Sequence, residues 1–119
     1  MTAPERATRD SWRIEPMPPR REPIELRRYF SPDEGERLSR GHVPENQDDR
    51  WFVYVENDVV HIHRSWTGFC IFEVELTPSG DGYEVAAAWA NRDPEQALDA
   101  AFDSAAGAIL DRLAAGDPG

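Results

Sequence analysis

From Trp51 onward, apolar and polar residues alternate with a period of two through four segments, WFVYVE, VVHIHR, FCIFEVEL and YEVAAAWA. No other feature constrains the fold as strongly, because only a β-strand sends successive side chains to opposite faces. Four such runs separated by short turn-forming segments predict an antiparallel meander. Asn57-Asp58 suits a two-residue hairpin turn, since both residue types tolerate positive φ. It pairs Val55 with Val60, Val53 with Ile62, Trp51 with Arg64, Tyr54 with His61 and Phe52 with His63.

The next bend decides which residues share a face. A two-residue turn at Thr67-Gly68 would set Glu73 and Glu75 beside Ile62 and Val60. A three-residue loop, Trp66-Thr67-Gly68, instead pairs Arg64 with Cys70, Ile62 with Phe72 and Val60 with Val74. Gly68 then takes the left-handed position that such loops end in. The longer loop keeps the apolar residues together and is the expected one. With TPSGDG as the following loop, Leu76 pairs with Tyr83, Val74 with Val85, Phe72 with Ala87 and Cys70 with Trp89. One face then carries Trp51, Val53, Val55, Val60, Ile62, Cys70, Phe72, Val74, Leu76, Tyr83, Val85, Ala87 and Trp89.

A helix is expected to cover that face. Asp93, Pro94 and Gln96 make an N-cap, first-position proline and capping-box pattern. Leu98, Phe102, Ala105, Ile109 and Leu113 recur at helical spacing up to Gly116. A shorter helix near 32–40 is signalled by Ser31, Pro32 and Glu34 and stopped by Gly41, and IELRRYF at 24–30 reads as one more short strand. The expected class is α+β, a four- to five-stranded antiparallel meander with one long C-terminal helix on one face. Residues 1–23 hold Pro4, Pro16, Pro18, Pro19 and Pro23 and read as a disordered or extended arm ahead of one domain over 24–116. Trp12 and Ile14 could dock the arm on that domain.

Charge narrows the function. Net charge is -10. Residues 1–28 hold seven arginines and five acids, whereas the remainder holds six arginines and eighteen acids. A domain this acidic repels phosphate backbones, so no nucleic acid partner is expected. No apolar run reaches the ~20 residues of a membrane span, and the first residues have no apolar signal-peptide core, so no membrane association and a cytoplasmic location are the expectation. One cysteine, Cys70, excludes an internal disulfide framework and a multi-cysteine zinc site. It is expected to pack in the core.

Two places carry chemistry. His61 and His63 fall on the face opposite the core, where Tyr54, His61 and Glu73 line up across three strands. Either imidazole with Glu73 could act as an acid–base pair, and a zinc or iron site with Glu73 as third ligand is conceivable. A His-x-His pair does not specify a metal by itself, and the reading adopted has no metal and no cofactor. The same face carries Phe52, Tyr54, Phe69 and Ile71, an apolar patch suited to a protein partner, a homodimer or the arm. The second place is one end of the sheet, where the register gathers Arg50, Arg64, Ser65, Trp66, Thr67, Asn91 and Arg92 beside the start of the last helix. Guanidinium and hydroxyl groups at a helix N-terminus favour an anion, and Trp66 offers a flat stacking surface. The structural alternative is ion pairing with Asp48, Asp49 and Asp93. There is no phosphate-binding glycine loop, Walker motif, dinucleotide fingerprint or nucleophile elbow.

The expected function is a small acidic, non-enzymatic binding module of accessory, regulatory or toxin-neutralising type, using the Arg/Trp cluster for an anionic small molecule or a carboxylate-bearing partner. The competing expectation is a small hydrolase-like enzyme on an anionic or nucleotide-like substrate, with His61 or His63 as acid–base group.

Overall fold

A computed structural model describes residues 6–96 and 104–116. The described residues form an α+β fold with a six-stranded antiparallel sheet and two helices. The elements run β1 (Arg21–Pro23), β2 (Tyr29–Phe30), α1 (Pro32–Ser39), β3 (Trp51–Glu56), β4 (Val59–Arg64), β5 (Cys70–Ser79), β6 (Gly82–Asn91) and α2 (Ser104–Ala114). Sheet order is β1-β6-β5-β4-β3, with β2 also on β6. The expected strand at 24–30 is therefore only its last two residues, Tyr29–Phe30, and a separate three-residue strand forms within the arm.

The first hairpin pairs as expected, Trp51 with Arg64 through Val55 with Val60, and Asn57 and Asp58 take φ of 54° and 63°. β4 and β5 also keep Val60 opposite Val74 and Ile62 opposite Phe72. A bulge then intervenes, and His63, not Arg64, stands opposite Cys70. The extra residue on β5 is Ile71. A bulge turns two successive residues of one strand toward one face, so Ile71 joins Phe72 in the main core and Cys70 moves to the opposite face. Both buried apolar side chains stay dry by this means; Ile71 is 3 % exposed and Phe72 1 %.

The last hairpin corrects the expected register. β5 continues through Thr77-Pro78-Ser79, and the turn is only Gly80-Asp81, with Ser79 opposite Gly82. Beyond Glu75 β5 overhangs β4, whose first paired residue is Val59, and such an overhang tolerates a proline that lacks its N–H. A second bulge lies between Glu75 and Leu76. Val74 consequently faces Ala88 and Phe72 faces Ala90, in place of Val85 and Ala87. Trp89 is opposite Glu73 on the outer face, where the Arg21 guanidinium lies 4.2 Å above its ring.

α1 forms as its caps require. Ser31 accepts from the Glu34 N–H, the Glu34 side chain accepts from the Ser31 N–H, and Pro32 opens the helix. Gly41 follows it at φ 67°. α2 differs from the long helix expected from Pro94. Residues 94–96 form a turn closed on Asp93 and Asn91, and the described helix has eleven residues. The expected contacts of Leu98 and Phe102 lie outside the described residues. Ala106, Ile109, Leu110 and Ala114 face the sheet and join Phe30, Leu38, Val53, Val60, Ile62, Phe72 and Val74 in one cluster.

The arm lies across the outer face. The Ala7 N–H donates to the Arg40 carbonyl, the Glu15 N–H to the Gly68 carbonyl, and the Trp12 Nε1–H to the Ser65 carbonyl. Trp12 stacks on Phe52 at 6.2 Å, and Ala7, Phe52 and Tyr54 form a second buried cluster with Ile14 against it. Arg9 grips Glu56 with two hydrogen bonds of 2.9 and 2.6 Å. Two corrections to the apolar patch follow. Ile71 and Phe69 pack with the main core, and Phe52 and Tyr54 are covered by the chain's own arm. A second molecule approaching this face would meet the arm first.

Candidate functional site

Alternation on β4 sends His61 and His63 to the outer face, and the cross-strand partners decide their neighbours. Glu73 stands opposite His61, and the bulge brings Cys70 opposite His63. A two-by-two array of His61, His63, Cys70 and Glu73 results, on two adjacent strands. Pairing with the regular register would have left Cys70 in the core, which is why spacing alone did not place it here.

The array floors a cavity of about 300 Å³ roofed by Arg9, Ile14, Glu15, Pro16 and Met17 of the arm. Tyr54 forms its side wall. Its ring stacks on His61 at 4.5 Å and on His63 at 5.7 Å, fixing both imidazole planes. The His61 Nδ1–H donates to Glu73 Oε2 at 3.0 Å, and Arg21 Nη1 stands 3.5 Å from Glu73 Oε1. The hydrogen bond from His61 holds the Glu73 carboxyl below its ordinary range, opposed by burial and helped by His61 charge and Arg21.

His63 is bound differently. Its Nδ1 lies 2.8 Å from the Gly68 carbonyl, an acceptor, so that nitrogen carries the proton. Nε2 is then a bare lone pair, buried and without a hydrogen-bond partner among the described residues. Burial pushes the His63 pKa down, partly offset by the Gly68 carbonyl. The Cys70 thiol is pushed far up by burial and by the Glu73 charge, so it is a protonated thiol and a poor nucleophile.

This histidine sets a pH dependence. Its folded-state pKa lies below the ordinary value of about 6.5, so the unfolded chain takes up a proton first on acidification. Its share of stability is complete above that value and declines as pH falls through it toward the folded-state pKa. Denaturant titrations of wild type and His63→Gln at several pH values between 7.5 and 5 should show the wild type losing more stability on acidification. Parallel profiles would remove His63 as the source.

At the sheet end, five of the seven residues expected to share a site have separate engagements. Ser65 donates its hydroxyl to the Asp49 carbonyl at 2.7 Å, and its N–H bonds the Arg50 carbonyl. Trp66 is 73 % exposed, yet its Nε1–H is anchored on the Gln47 carbonyl at 2.9 Å. The Thr67 hydroxyl oxygen accepts from the Phe69 N–H. Asn91 is buried and donates to the Cys70 carbonyl and to Gln96 Oε1. It therefore stands beside Cys70, whereas the expected register set it opposite Gly68. Arg92 bonds Glu22 on β1 at 3.1 Å. The N–H groups of Asp93 and Glu95 are taken by Asn91 Oδ1 and Asp93 Oδ1. The turn thus satisfies donors that an anion at a helix start would have used.

Arg50 and Arg64 remain. Neither makes a side-chain hydrogen bond or ion pair among the described residues, and the same holds for Arg13 and Arg20. Arg13 abuts Gly68, Arg20 accepts from the Arg92 N–H, Arg50 accepts from the Ser65 N–H, and Arg64 ends β4. In an antiparallel sheet these positions all lie at one end, where β3, β5 and β1 begin and β4 and β6 finish. Arg6, Arg9, Arg21, Arg27, Arg28, Arg40 and Arg92 each have a carboxylate within 4 Å. Sequence reading found Arg50 and Arg64 but missed Arg13 and Arg20, because nothing in the arm's composition says where it docks.

Among the described residues no helix is long and apolar enough to cross a membrane. No family model, no curated protein and no solved structure matches this chain.

Proposed function

We propose that this protein is a non-enzymatic binding module that holds an extended acidic segment of a partner protein across its arginine-bearing sheet end. The observation that carries this reading is that four of the five arginines without a side-chain partner among the described residues, Arg13, Arg20, Arg50 and Arg64, gather at this sheet end in a chain of net charge -10, the fifth being Arg112 on α2. Carboxylates are plentiful, and most other arginines have found one. Strands about 4.8 Å apart spread the row over roughly 20 Å from β3 to β1, the length of about six extended residues. A row of that shape suits a strand-like segment better than a single compact anion. Arginine binds carboxylates through two parallel N–H donors, which adds direction to the attraction. Trp66 supplies a fixed apolar anchor beside the row, because its ring is exposed while its indole N–H is tied down.

The hydrolase-like alternative has one observation in its favour, the shared cavity of His61, His63 and Arg9. Arg9 is committed to Glu56 through both its Nε and Nη2, so it is a poor holder for a substrate anion.

The test is a fluorescence titration with a six-residue glutamate peptide at low salt. Saturable quenching that disappears in Trp66→Phe and weakens about threefold to tenfold in Arg50→Ala and in Arg64→Ala is expected, with affinity falling as salt rises. A flat titration removes the proposal. An equal response to inorganic phosphate would replace the acidic segment with a small anion.

A further inference from the structure

We infer that His61, Cys70 and Glu73, with His63 beside them, form a site for a divalent transition-metal ion of the zinc class. This inference is independent of the sheet-end arginines. Its first support is geometric. One ligand atom from each of His61, Cys70 and Glu73 lies within 4.8 Å of the other two. The His61 Nδ1 to Glu73 Oε2 separation is 3.0 Å. Around a tetrahedral ion at ordinary bond lengths, two N or O ligands stand roughly 3.4 Å apart and an S–N pair roughly 3.6 Å. Small side-chain movements therefore bring the three donors onto one ion.

The second support is chemical. An imidazole, a thiol and a carboxylate are the donor types that zinc accepts together, and the sulfur disfavours magnesium and calcium. When the S–metal bond forms, the Cys70 proton leaves to solvent, and the metal also displaces the His61 Nδ1 proton to solvent, the neutral imidazole then carrying its proton on Nε2.

The third support stands apart from the cluster's own bonds. His63 lines the same cavity, is 2 % exposed, and keeps Nε2 without a partner among the described residues. A buried ring nitrogen left bare is a rare expense in a folded protein. The other nitrogen donates to the Gly68 carbonyl. Metal-binding histidines present this arrangement, one nitrogen free for the ion and the opposite N–H fixed on a carbonyl. Tyr54 stacked on both rings and Arg21 at the far oxygen of Glu73 hold the remaining donors in place. The fourth position belongs to His63 or to a water beneath the arm.

The experiment is a titration of the chelator-treated full chain with Co2+, followed by absorption and then by displacement with Zn2+. One equivalent of Co2+ is expected to give a thiolate-to-cobalt charge-transfer band and visible bands of tetrahedral intensity, both removed by one equivalent of Zn2+. Cys70→Ser should abolish the charge-transfer band, and His61→Ala or Glu73→Gln should weaken binding at least tenfold. His63→Gln should weaken it or alter the visible bands, and His42→Ala should change nothing. Far-UV circular dichroism checks each variant's fold. If Cys70→Ser does not fold, Glu73→Gln, which retains the size of the side chain, carries the test. Cobalt binding without a thiolate band, affinity indifferent to Cys70→Ser and Glu73→Gln, or no binding at all each overturns the inference.

Discussion

Phe72→Ala is expected to lower stability by about 3–5 kcal/mol, the range for emptying a large aromatic site in a packed core. Phe72 sits on the central strand β5 between Ile62 and Ala90, is 1 % exposed, and lies 6.3 Å from the Trp51 ring. Its neighbours belong to a sheet with strands on both sides and a helix above, so they cannot close the void without moving the ladder. Against a total of about 5–15 kcal/mol for a natural domain, the loss is large, and the melting temperature should fall on the order of 10–20 °C. Denaturant unfolding followed by fluorescence measures it. A fall under about 5 °C would mean that the core is centred elsewhere.

Gly68→Ala should act on the arm as much as on the sheet. Gly68 has φ 80°, and an added Cβ would stand 2.6 Å from the Arg13 carbonyl oxygen. Its own carbonyl accepts from both the Glu15 N–H and the His63 imidazole. The substitution thus adds backbone strain and pushes away the segment that roofs the outer-face cavity. Strain of this kind is worth about 1–3 kcal/mol. If it falls mainly on local opening, the open population rises roughly 5- to 150-fold. Limited trypsin digestion should then cut at Arg13 correspondingly faster. Loss of global stability with an unchanged cleavage rate at Arg13 would show that Gly68 does not govern the arm.

Much of this fold is legible from residue pattern. The Asn57-Asp58 hairpin, the Ser31–Glu34 capping box and the β4–β5 pairing up to Ile62 and Phe72 each follow from a local rule that tertiary contacts had no reason to override. The bulges escape because one inserted residue leaves alternation intact on either side. The one local hint is the adjacent pair Ile71-Phe72, two large apolar residues in a strand that otherwise alternates. On β6 the run Ala86-Ala87-Ala88 carries no phase, since three identical small residues fit either face. Alternation alone therefore puts Trp89 on the core face, whereas the bulge turns it to the outer face. The candidate metal cluster was half visible: His61, His63 and Glu73 follow from alternation, whereas Cys70 arrives only through the bulge. The sheet-end row depends on contacts between residues far apart in the chain, such as Arg13 against Gly68, which no local rule encodes.

β1 and β2 both lie along β6, one at each of its ends, and an isolated bridge from His42 to Val53 covers part of β3. The outermost long strands are thus partly shielded by short pieces of the same chain. Bare ladder groups on an outer strand template pairing between molecules, and sheets are commonly protected against that edge-to-edge aggregation. A chain shortened to begin at Ile24 would lose β1 and bare the Trp89–Asn91 stretch of β6, so self-association should be the first symptom of trimming a segment whose composition reads as dispensable.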